Sequence, residues 1–294
     1  MIGNGMTHSR RTTLRIMRSV TLLALLLSVD VVFSQDTPGK DSEREERLVF
    51  LTERAEDYQL FLDRDRAVRM TTQPVFRWSH PIAKLEDAAV FLWMDEGQPV
   101  ALGTMILHSE LGLFTELQSV TSKSLKAVKF KDTVWEPAGK GCQFSPVPKG
   151  PKPAETAAER LTQMKTLSRR FEAQLTKAPP FYSEGSTWQL RLLPKQLARY
   201  GGPKATAFDG AIFVFCHDTD PELILLLEAS GEASETAWFF AFAPLTGWEA
   251  KVKCDEKVVW SQPRLQSVTD PKLTYIKFGP DPVTTKTRSP EESK

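Results

Sequence analysis

An internal sequence repeat constrains the fold of this chain more than any other feature. Residues 69–99 align with residues 191–221 at a constant offset of 122, without a gap. Unrelated segments of this length and of ordinary composition would share about two identical residues. The identical pairs here are Arg69/Arg191, Arg77/Arg199, Pro81/Pro203, Ala83/Ala205, Asp87/Asp209, Ala89/Ala211, Phe91/Phe213 and Pro99/Pro221. The alignment therefore predicts that one structural unit occurs twice.

Shorter matches extend the repeat on both sides. Glu46-Arg47-Leu48 matches Glu159-Arg160-Leu161 at an offset of 113, and Trp135 matches Trp260 at an offset of 125. The tryptophans each follow an apolar valine and are most simply core aromatics at the ends of strands. We therefore assign repeat copy 1 to residues 42–137 and repeat copy 2 to residues 154–263.

Each copy is predicted to begin with one amphipathic helix. Mostly apolar side chains recur at intervals of three, four and three residues in both copies, which places them on one helical face. They are Leu48, Leu51, Ala55 and Tyr58 in copy 1, and Leu161, Met164, Ser168 and Phe171 in copy 2. Ser42-x-x-Glu45 and Thr156-x-x-Glu159 both have the form of a capping box, in which side chains satisfy the free amides of a helix start.

Short strands are predicted after each helix. The turns between them are too short for crossover helices, so we expect antiparallel pairing. Residues 88–93 and 210–215 are apolar on both alternating faces, as in a central strand covered above and below. The copy's own helix can cover one face of its sheet, and the sister copy can cover the other. The predicted fold class is α+β, with an internal duplication, an amphipathic helix plus an antiparallel sheet in each copy, and a pseudo-twofold axis between the copies.

The N-terminus has the pattern of an export signal. Four arginines precede an apolar run from Val20 to Leu27, and Val32 and Ser34 are small residues before a cut at Gln35. The apolar stretch is shorter than the roughly 20 residues of a membrane span. We expect residues 1–34 to be a cleaved signal peptide and residues 35–41 to be a flexible N-terminus. The protein would then be exported to the periplasm, the cell envelope or the medium, with no stable membrane span.

Composition and motifs argue against several classes of function. Without residues 1–34 the chain has 34 basic and 36 acidic residues, a net charge of −2, and no dense basic stripe. Nucleic-acid binding is therefore not expected, because it requires basic residues that neutralise phosphates. Because the sequence contains neither a Gly-rich phosphate loop nor Cys/His pairs at zinc-ligand spacing, we also expect no cofactor and no metal.

Two segments lie outside the predicted copies. Residues 138–153 contain several prolines, which favour an extended linker over packed structure. Residues 264–294 form a C-terminal extension, predicted to be disordered from about Gly279 because the tail is polar and lacks aromatic residues. The chain also has three cysteines, an odd number for an exported protein: Cys142, Cys216 and Cys254. A bridge between Cys216 and Cys254 and three free thiols are both compatible with the sequence.

The repeated charged residues have a structural interpretation. Arg77 and Asp87 are ten residues apart, as are Arg199 and Asp209, across a proline-containing loop between two strands. Each pair can clamp its loop through charge-assisted hydrogen bonds. A catalytic centre is usually needed once in a chain, whereas a clamp is needed once in each folding unit. We therefore predict structural clamps at Arg77, Asp87, Arg199 and Asp209.

Other candidate sites are weaker. Cys216-His217-Asp218 contains the residue types of a catalytic triad, but neighbouring residues of a strand point to opposite faces. Asp218-x-Asp220-x-Glu222 has the alternating acids of a calcium loop, yet Leu223 stands where an EF-hand requires glycine. It aligns with residues 95–99, which favours a plain hairpin.

Two retained motifs carry a resemblance. Arg77-Trp78-Ser79-His80-Pro81 and residues 87–93, with their counterparts in the second copy, resemble segments of a group of exported proteins of planctomycete-type bacteria. The resemblance covers most of the chain after the signal. It implies export and a two-copy architecture, and it implies no activity, because none is established for that group.

These observations predict an exported, non-enzymatic binding or scaffolding protein of the cell envelope whose ligand or partner protein is unknown. The alternative is an envelope hydrolase with a carboxylate site between the two copies, formed by Asp87, Asp209 and Glu86. The two functions predict different clefts. A cleft lined by aromatic residues without paired titratable groups favours binding, and a pocket with two carboxylates of perturbed pKa favours the enzyme.

Overall fold

The computed structural model describes residues 38–63, 65–177, 186–231 and 235–283. The predicted signal peptide, residues 1–34, lies outside this part, as do residues 284–294 of the predicted disordered tail. Every strand pair among the described residues is antiparallel. With two helices and mostly sheet, the α+β class is confirmed. Neither helix is long and apolar enough to cross a membrane.

The first half begins with helix α1 (Pro38–Glu56) and contains one short 3-10 helix at Pro81–Ala83. Nine strands of the described part follow α1: β1 (Tyr58–Leu62), β2 (Arg66–Ala67), β3 (Arg69–Met70), β4 (Phe76–His80), β5 (Leu85–Asp95), β6 (Gln98–His108), β7 (Gly112–Ser119), β8 (Leu125–Lys129) and β9 (Asp132–Trp135). A two-residue strand, β10 (Ser145–Pro146), lies between the halves.

The second half begins with helix α2 (Ala157–Ser168). The strands after it within the described residues are β11 (Phe171–Lys177), β12 (Ser186–Gln189), β13 (Arg191–Leu192), β14 (Ala198–Tyr200), β15 (Asp209–His217), β16 (Asp220–Ser230), β17 (Ala237–Pro244), β18 (Glu249–Cys254) and β19 (Lys257–Gln262). A last strand, β20 (Tyr275–Asp281), follows this half.

Each half forms two sheets rather than the single sheet that the sequence predicts. The four-stranded sheets have the orders β2-β1-β8-β9 and β12-β11-β18-β19. The six-stranded sheets have the orders β20-β7-β6-β5-β3 and β10-β17-β16-β15-β13, with β4 and β14 also paired to β5 and β15. The order of strands is thus the same in both halves. Corresponding strands also have the same burial pattern, residue by residue, in β6 and β16 and in β7 and β17.

Three hydrophobic cores hold these layers together. The central core joins the facing sides of the two six-stranded sheets, with Val90 and Leu102 from one and Ile212 and Leu226 from the other. Each outer core joins the opposite side of one six-stranded sheet to its own helix and four-stranded sheet. A second sheet is needed because a helix of 12 to 19 residues covers only part of a six-stranded surface.

The segments outside the predicted copies complete the sheets of the opposite halves. Strand β10, in the predicted linker, pairs with β17, and β20, in the C-terminal extension, pairs with β7. Cys142 and Val147 of the linker are buried, so the prediction of an unpacked linker is wrong. Disorder from Gly279 is also wrong as far as Asp281, because that residue pairs with Leu113. Short edge strands give no periodic signal that would reveal their partner.

The two helix starts differ. Thr156 caps α2 as predicted: its hydroxyl accepts from the Glu159 amide, and the Glu159 carboxylate accepts from the Thr156 amide in turn. The same box at Ser42 is wrong, because α1 begins at Pro38 and Ser42 lies inside it. Residues 38–41 are therefore helical, although the sequence predicts a flexible N-terminus there. Proline is favoured in the first turn, where its missing amide has no cost.

All three cysteines are free and buried. Of the two alternatives left open by the sequence, the structure therefore has the three thiols and no bridge. Burial raises the pKa of Cys142 and of Cys216 to about 12, so these thiols are poor nucleophiles.

Candidate functional site

The predicted clamp residues form ion pairs in both halves. Arg77 Nε and Nη2 donate to the two oxygens of Asp87 at 2.8 and 2.5 Å. Arg199 donates to Asp209 with the same atoms and the same distances. Both carboxylates are buried. Bidentate geometry of this kind fixes the orientation of both side chains, so each pair ties strand β4 or β14 to the start of β5 or β15.

A second arginine, from the helix, joins each pair. Arg160 Nε lies 2.6 Å from Asp209 Oδ2, and Arg47 Nε lies 3.5 Å from Asp87 Oδ2. The strand arginines also reach the helices, because Arg199 donates to the Ala157 carbonyl at 2.7 Å and Arg77 donates to the Arg44 carbonyl. Arg47 and Arg160 occupy equivalent positions in the match of Glu46-Arg47-Leu48 with Glu159-Arg160-Leu161. That match could have indicated a second arginine at each carboxylate, but we predicted only an extension of the repeat from it.

Each clamp faces its own helix. Asp87 and Ala89 share one face of β5, and Ala89 belongs to the outer core; Asp209 and Ala211 have the same relation in the second half. Glu86 is exposed. The structure therefore does not bring Asp87, Asp209 and Glu86 together between the halves, and the hydrolase site predicted from them is wrong. Burial would raise the pKa of Asp209, but hydrogen bonds from Arg199 and Arg160 outweigh it and lower that pKa.

A cleft lined by several charged residues lies elsewhere, at one end of the space between the six-stranded sheets. We call it the charged cleft and define it by Glu116, Lys177, Asp220, Glu222 and Lys277. Its volume is about 730 Å³. Strands β7 and β20 supply the residues of one sheet, β16 supplies those of the other, and β11 contributes the Lys177 side chain.

Two ion pairs occupy the floor of the charged cleft. Lys277 Nζ lies 3.0 Å from Glu116 Oε1, and Lys177 Nζ lies 3.2 Å from Glu222 Oε1. Glu116 also accepts from the Tyr275 hydroxyl, and the Thr246 hydroxyl hydrogen-bonds Glu222. The Glu116 carboxylate raises the pKa of Lys277 despite its partial burial. All four charges are therefore compensated in pairs.

Asp220 is the carboxyl group of the charged cleft without a partner. Among the described residues it makes no hydrogen bond and no ion pair within 4.0 Å, although it is mostly buried. Burial, followed by the charges of Glu222 and Glu116, raises the pKa of Asp220 to about 8. The Asp220 carboxyl group is therefore largely protonated at neutral pH. Burial raises the pKa of the neighbouring Glu222 as well.

Strand alternation explains how these acids meet. Asp220 and Glu222 share a face of β16 with Ile224 and Leu226, which belong to the central core. The strand thus carries its carboxylates to the end of the inter-sheet space. From the sequence, this motif has the alternating acids of a calcium loop but favours a plain hairpin. The hairpin is present. The sequence could not show that Asp220 and Glu222 share a cleft with residues of β7 and β20, because those strands are distant in the chain.

The walls and mouth of the charged cleft are of mixed character. Apolar side chains from the first half form one wall: Leu85, Ile106, Leu111 and Phe114. The guanidinium of Arg264 lies 5.0 Å above the ring of Trp248 and is exposed. Among the described residues Arg264 has no carboxylate partner within 4.0 Å. The cleft therefore offers an apolar wall together with one unpartnered acid and one unpartnered base.

An equivalent but smaller cleft lies at the other end of the inter-sheet space. We call it the small cleft and define it by Gln98, Val100, Cys142, Phe144 and Glu228; its volume is about 140 Å³. Glu228 accepts hydrogen bonds from Gln98 and from the Tyr200 hydroxyl, each at 3.2 Å. Tyr200 packs over Gly210, where a Cβ atom would lie 2.5 Å from its ring. The Glu228 carboxylate thus has its hydrogen-bond partners within the protein, whereas Gln98 Oε1 is buried without a partner among the described residues.

The remaining candidate residues do not form a triad or a metal site. Cys216 faces the central core, while His217 Nδ1 and His80 Nε2 each lie 3.8 Å from the exposed Asp218 carboxylate. Within the described ranges, no group of three His, Cys, Asp or Glu side chains is arranged to hold a metal ion.

The chain matches no protein-family model, no curated protein and no solved structure.

Proposed function

We propose that this chain is an exported, non-enzymatic protein that binds a small polar ligand in the charged cleft. The observation that carries the proposal is the unpartnered Asp220 carboxyl in a cleft of about 730 Å³. Ligand sites usually have 300–1,000 Å³, a largely apolar wall and a few convergent polar groups. The charged cleft has each of these features.

The energetic cost of the cluster supports a functional role. Burying a carboxyl group without a hydrogen bond costs about 1–3 kcal/mol in proteins. The equivalent positions of the small cleft carry no acid, because Gln98 stands in place of Asp220 and Val100 in place of Glu222. The fold therefore does not require acids there, and a ligand that bonds to Asp220 would supply the missing partner.

The proposal is tested by ligand-induced stabilisation. The purified chain without residues 1–34 would be heated with single members of a panel: free amino acids, short peptides, monosaccharides, amino sugars and dicarboxylates. We expect at least one class to raise the midpoint of unfolding, because a ligand that binds only the folded state stabilises it. The shift should disappear in Asp220→Asn and persist in Asp218→Asn, which changes an exposed carboxylate on the same hairpin. No shift with any class would contradict the proposal.

We also propose that the two halves arose by internal duplication and that residues 1–34 direct export. The constant offset of 122 and the equal strand orders support the first proposal. The arginine-rich start and the short apolar run support the second. N-terminal sequencing of secreted protein should begin near Gln35, and a mature protein that retains Arg10 would contradict export by this signal.

A hydrolase is the second candidate function, with residues other than those predicted from the sequence. Asp220, which is largely protonated at neutral pH, and Glu222 place two carboxyl groups in one cleft, as in glycoside hydrolases. A chromogenic glycoside panel tests this candidate. Hydrolysis that falls as pH rises through about 8, and that is lost in Asp220→Asn, would favour the enzyme over the binding protein.

A further inference from the structure

The charges of the charged cleft leave two groups without a protein partner. Glu116 pairs with Lys277 and Glu222 pairs with Lys177. Asp220 in the interior and Arg264 at the mouth line the same cleft, and neither has an oppositely charged partner within 4.0 Å among the described residues. A bound molecule that compensates both groups must carry one positive and one negative charge.

The surroundings of Asp220 select a cation. Glu222 on the same strand and Glu116 on β7 both act on the Asp220 carboxyl by repulsion. An ammonium group between these carboxylates would donate charge-assisted hydrogen bonds to them and would relieve the repulsion. An anion placed there would meet three carboxyl groups, and the nearby Lys177 and Lys277 already pair with two of them, so a cation is favoured.

The mouth of the cleft selects a carboxylate. The guanidinium of Arg264 rests on the face of Trp248, which leaves its planar edge available for bidentate hydrogen bonds. The apolar wall that includes Ile106, Leu111 and Phe114 lines the same cleft as the two charged groups. Leu111 is 53 % exposed, an unfavourable exposure that an apolar ligand group would remove.

We infer that the ligand of the charged cleft is an amphipathic zwitterion, that is, a free amino acid or a short peptide with an apolar side chain. Its ammonium group binds at Asp220, its carboxylate binds at Arg264, and its side chain packs on the apolar wall. The inference rests on the proposed binding function and specifies the chemical class of its ligand.

Proton release should accompany binding. An ammonium group favours the ionised form of Asp220, whose pKa in the free protein is about 8. The charged and titratable groups around it are Glu222 on β16, Glu116 on β7, Lys277 and Tyr275 on β20, Lys177 on β11 and His217 on β15. At pH 7 about 0.9 proton should leave per ligand bound, and affinity should rise about tenfold from pH 6 to pH 7.

The experiment compares four probes by titration calorimetry. L-leucine and leucyl-leucine carry both charges, isoamylamine lacks the carboxylate of leucine, and isocaproate lacks its amine. We expect one of the zwitterions to bind most tightly, isoamylamine to bind at least tenfold more weakly, and isocaproate not to bind. Titration in two buffers of different ionisation enthalpy measures the released proton.

Matched variants separate the two contacts. Asp220→Asn should abolish binding of every amine probe, with Asp218→Asn as the control. Arg264→Gln should lower the affinity for the zwitterion at least tenfold and leave isoamylamine unchanged, with Arg69→Gln as an exposed control outside the cleft. Equal affinity of leucine, leucyl-leucine and isoamylamine, or no binding of any amine, would overturn the inference. If a sugar binds in an Asp220-dependent manner while the amines do not, the ligand class is wrong and the binding function stands.

Discussion

The two clefts at opposite ends of the inter-sheet space occupy equivalent places in the two halves, but they differ in size and charge. The charged cleft has a volume of about 730 Å³ and the small cleft about 140 Å³. Asp220 and Glu222 of the first correspond to Gln98 and Val100 of the second at the repeat offset of 122. The buried acid of the small cleft, Glu228, has Ile106 as its counterpart.

The difference teaches which polar groups the fold needs. In the small cleft the Glu228 carboxylate accepts hydrogen bonds from two neutral donors, Gln98 and Tyr200. This carboxylate therefore has its partners within the protein. In the charged cleft two ion pairs are complete and Asp220 is left over. Because the same arrangement of strands tolerates both solutions, the charged one is not a requirement of folding.

Among the changes that test the difference between the two clefts, removal of Lys177 should have the largest effect on the free energy of unfolding. Lys177→Met leaves the Glu222 carboxylate buried without its cation, which should lower the free energy of unfolding by about 3–5 kcal/mol. The midpoint of urea unfolding at unchanged slope measures the loss. The double variant Lys177→Met/Glu222→Val, which copies Val100 of the small cleft, should recover most of it. A single variant as stable as the wild type would show that the ion pair is not buried as described.

The clamps of the two halves should differ in strength. Asp209→Ala should lower stability by about 3 kcal/mol and Asp87→Ala by about 2 kcal/mol, because each change strands arginines and Asp209 has the closer second partner. Since the pKa of Asp209 is lowered, its contribution is present above about pH 4 and is lost as pH falls through the native pKa. Denaturant midpoints of both variants that hold steady or rise would instead point to functional carboxylates.

Asp220→Asn should change how the stability of the protein depends on pH. A carboxyl group whose native pKa is raised keeps its proton when the unfolded chain has lost it, so it lowers stability as pH rises from about 4 to about 8. The variant resembles Gln98 of the small cleft and should be more stable than the wild type by at least about 2 kcal/mol above pH 8, because each unit by which the native pKa is raised corresponds to about 1.4 kcal/mol. Thermal midpoints measured from pH 4 to pH 9 should therefore converge at the acidic end. Parallel curves would contradict the raised pKa.

The smallest effect is expected at the helix starts. Thr156→Ala removes a capping box and should cost about 1 kcal/mol, whereas Ser42→Ala lies inside α1 and should change stability by less than about 0.5 kcal/mol. Paired denaturant titrations of the two variants measure this contrast. A loss at Ser42 equal to that at Thr156 would mean that α1 begins near Ser42 after all.

Local sequence signals predicted the local structure well. The capping residues of α2 and the two-sided apolar strands β5 and β15 follow from patterns within a few residues, as does the antiparallel pairing. The ten-residue spacing of Arg77 and Asp87 likewise indicated which side chains meet. The false cap at Ser42 marks the limit of such signals, because a capping motif is also compatible with the interior of a longer helix.

Strand exchange and the charged cleft could not be predicted from the sequence. Strand β10 has only two residues, and the short apolar start of β20, residues 275–278, fits the edge of either sheet, so neither carries a pattern that names its partner. The sequence shows the alternating acids Asp220 and Glu222 of β16, but it does not show which residues lie next to them in the fold. Lys177 is 45 residues from Glu222, and Lys277 is 161 residues from Glu116.

The sequence by itself determined the α+β class, the start of α2 and the antiparallel strands, because periodicity and capping act over one or two turns of chain. Only the tertiary structure decided that each half has two sheets, that the clamps face their helices, and that six charged residues line one cleft. The physical reason is that burial and ion pairing depend on which strands become neighbours. That choice is made by the packing of two whole sheets, and no short segment of the chain contains it.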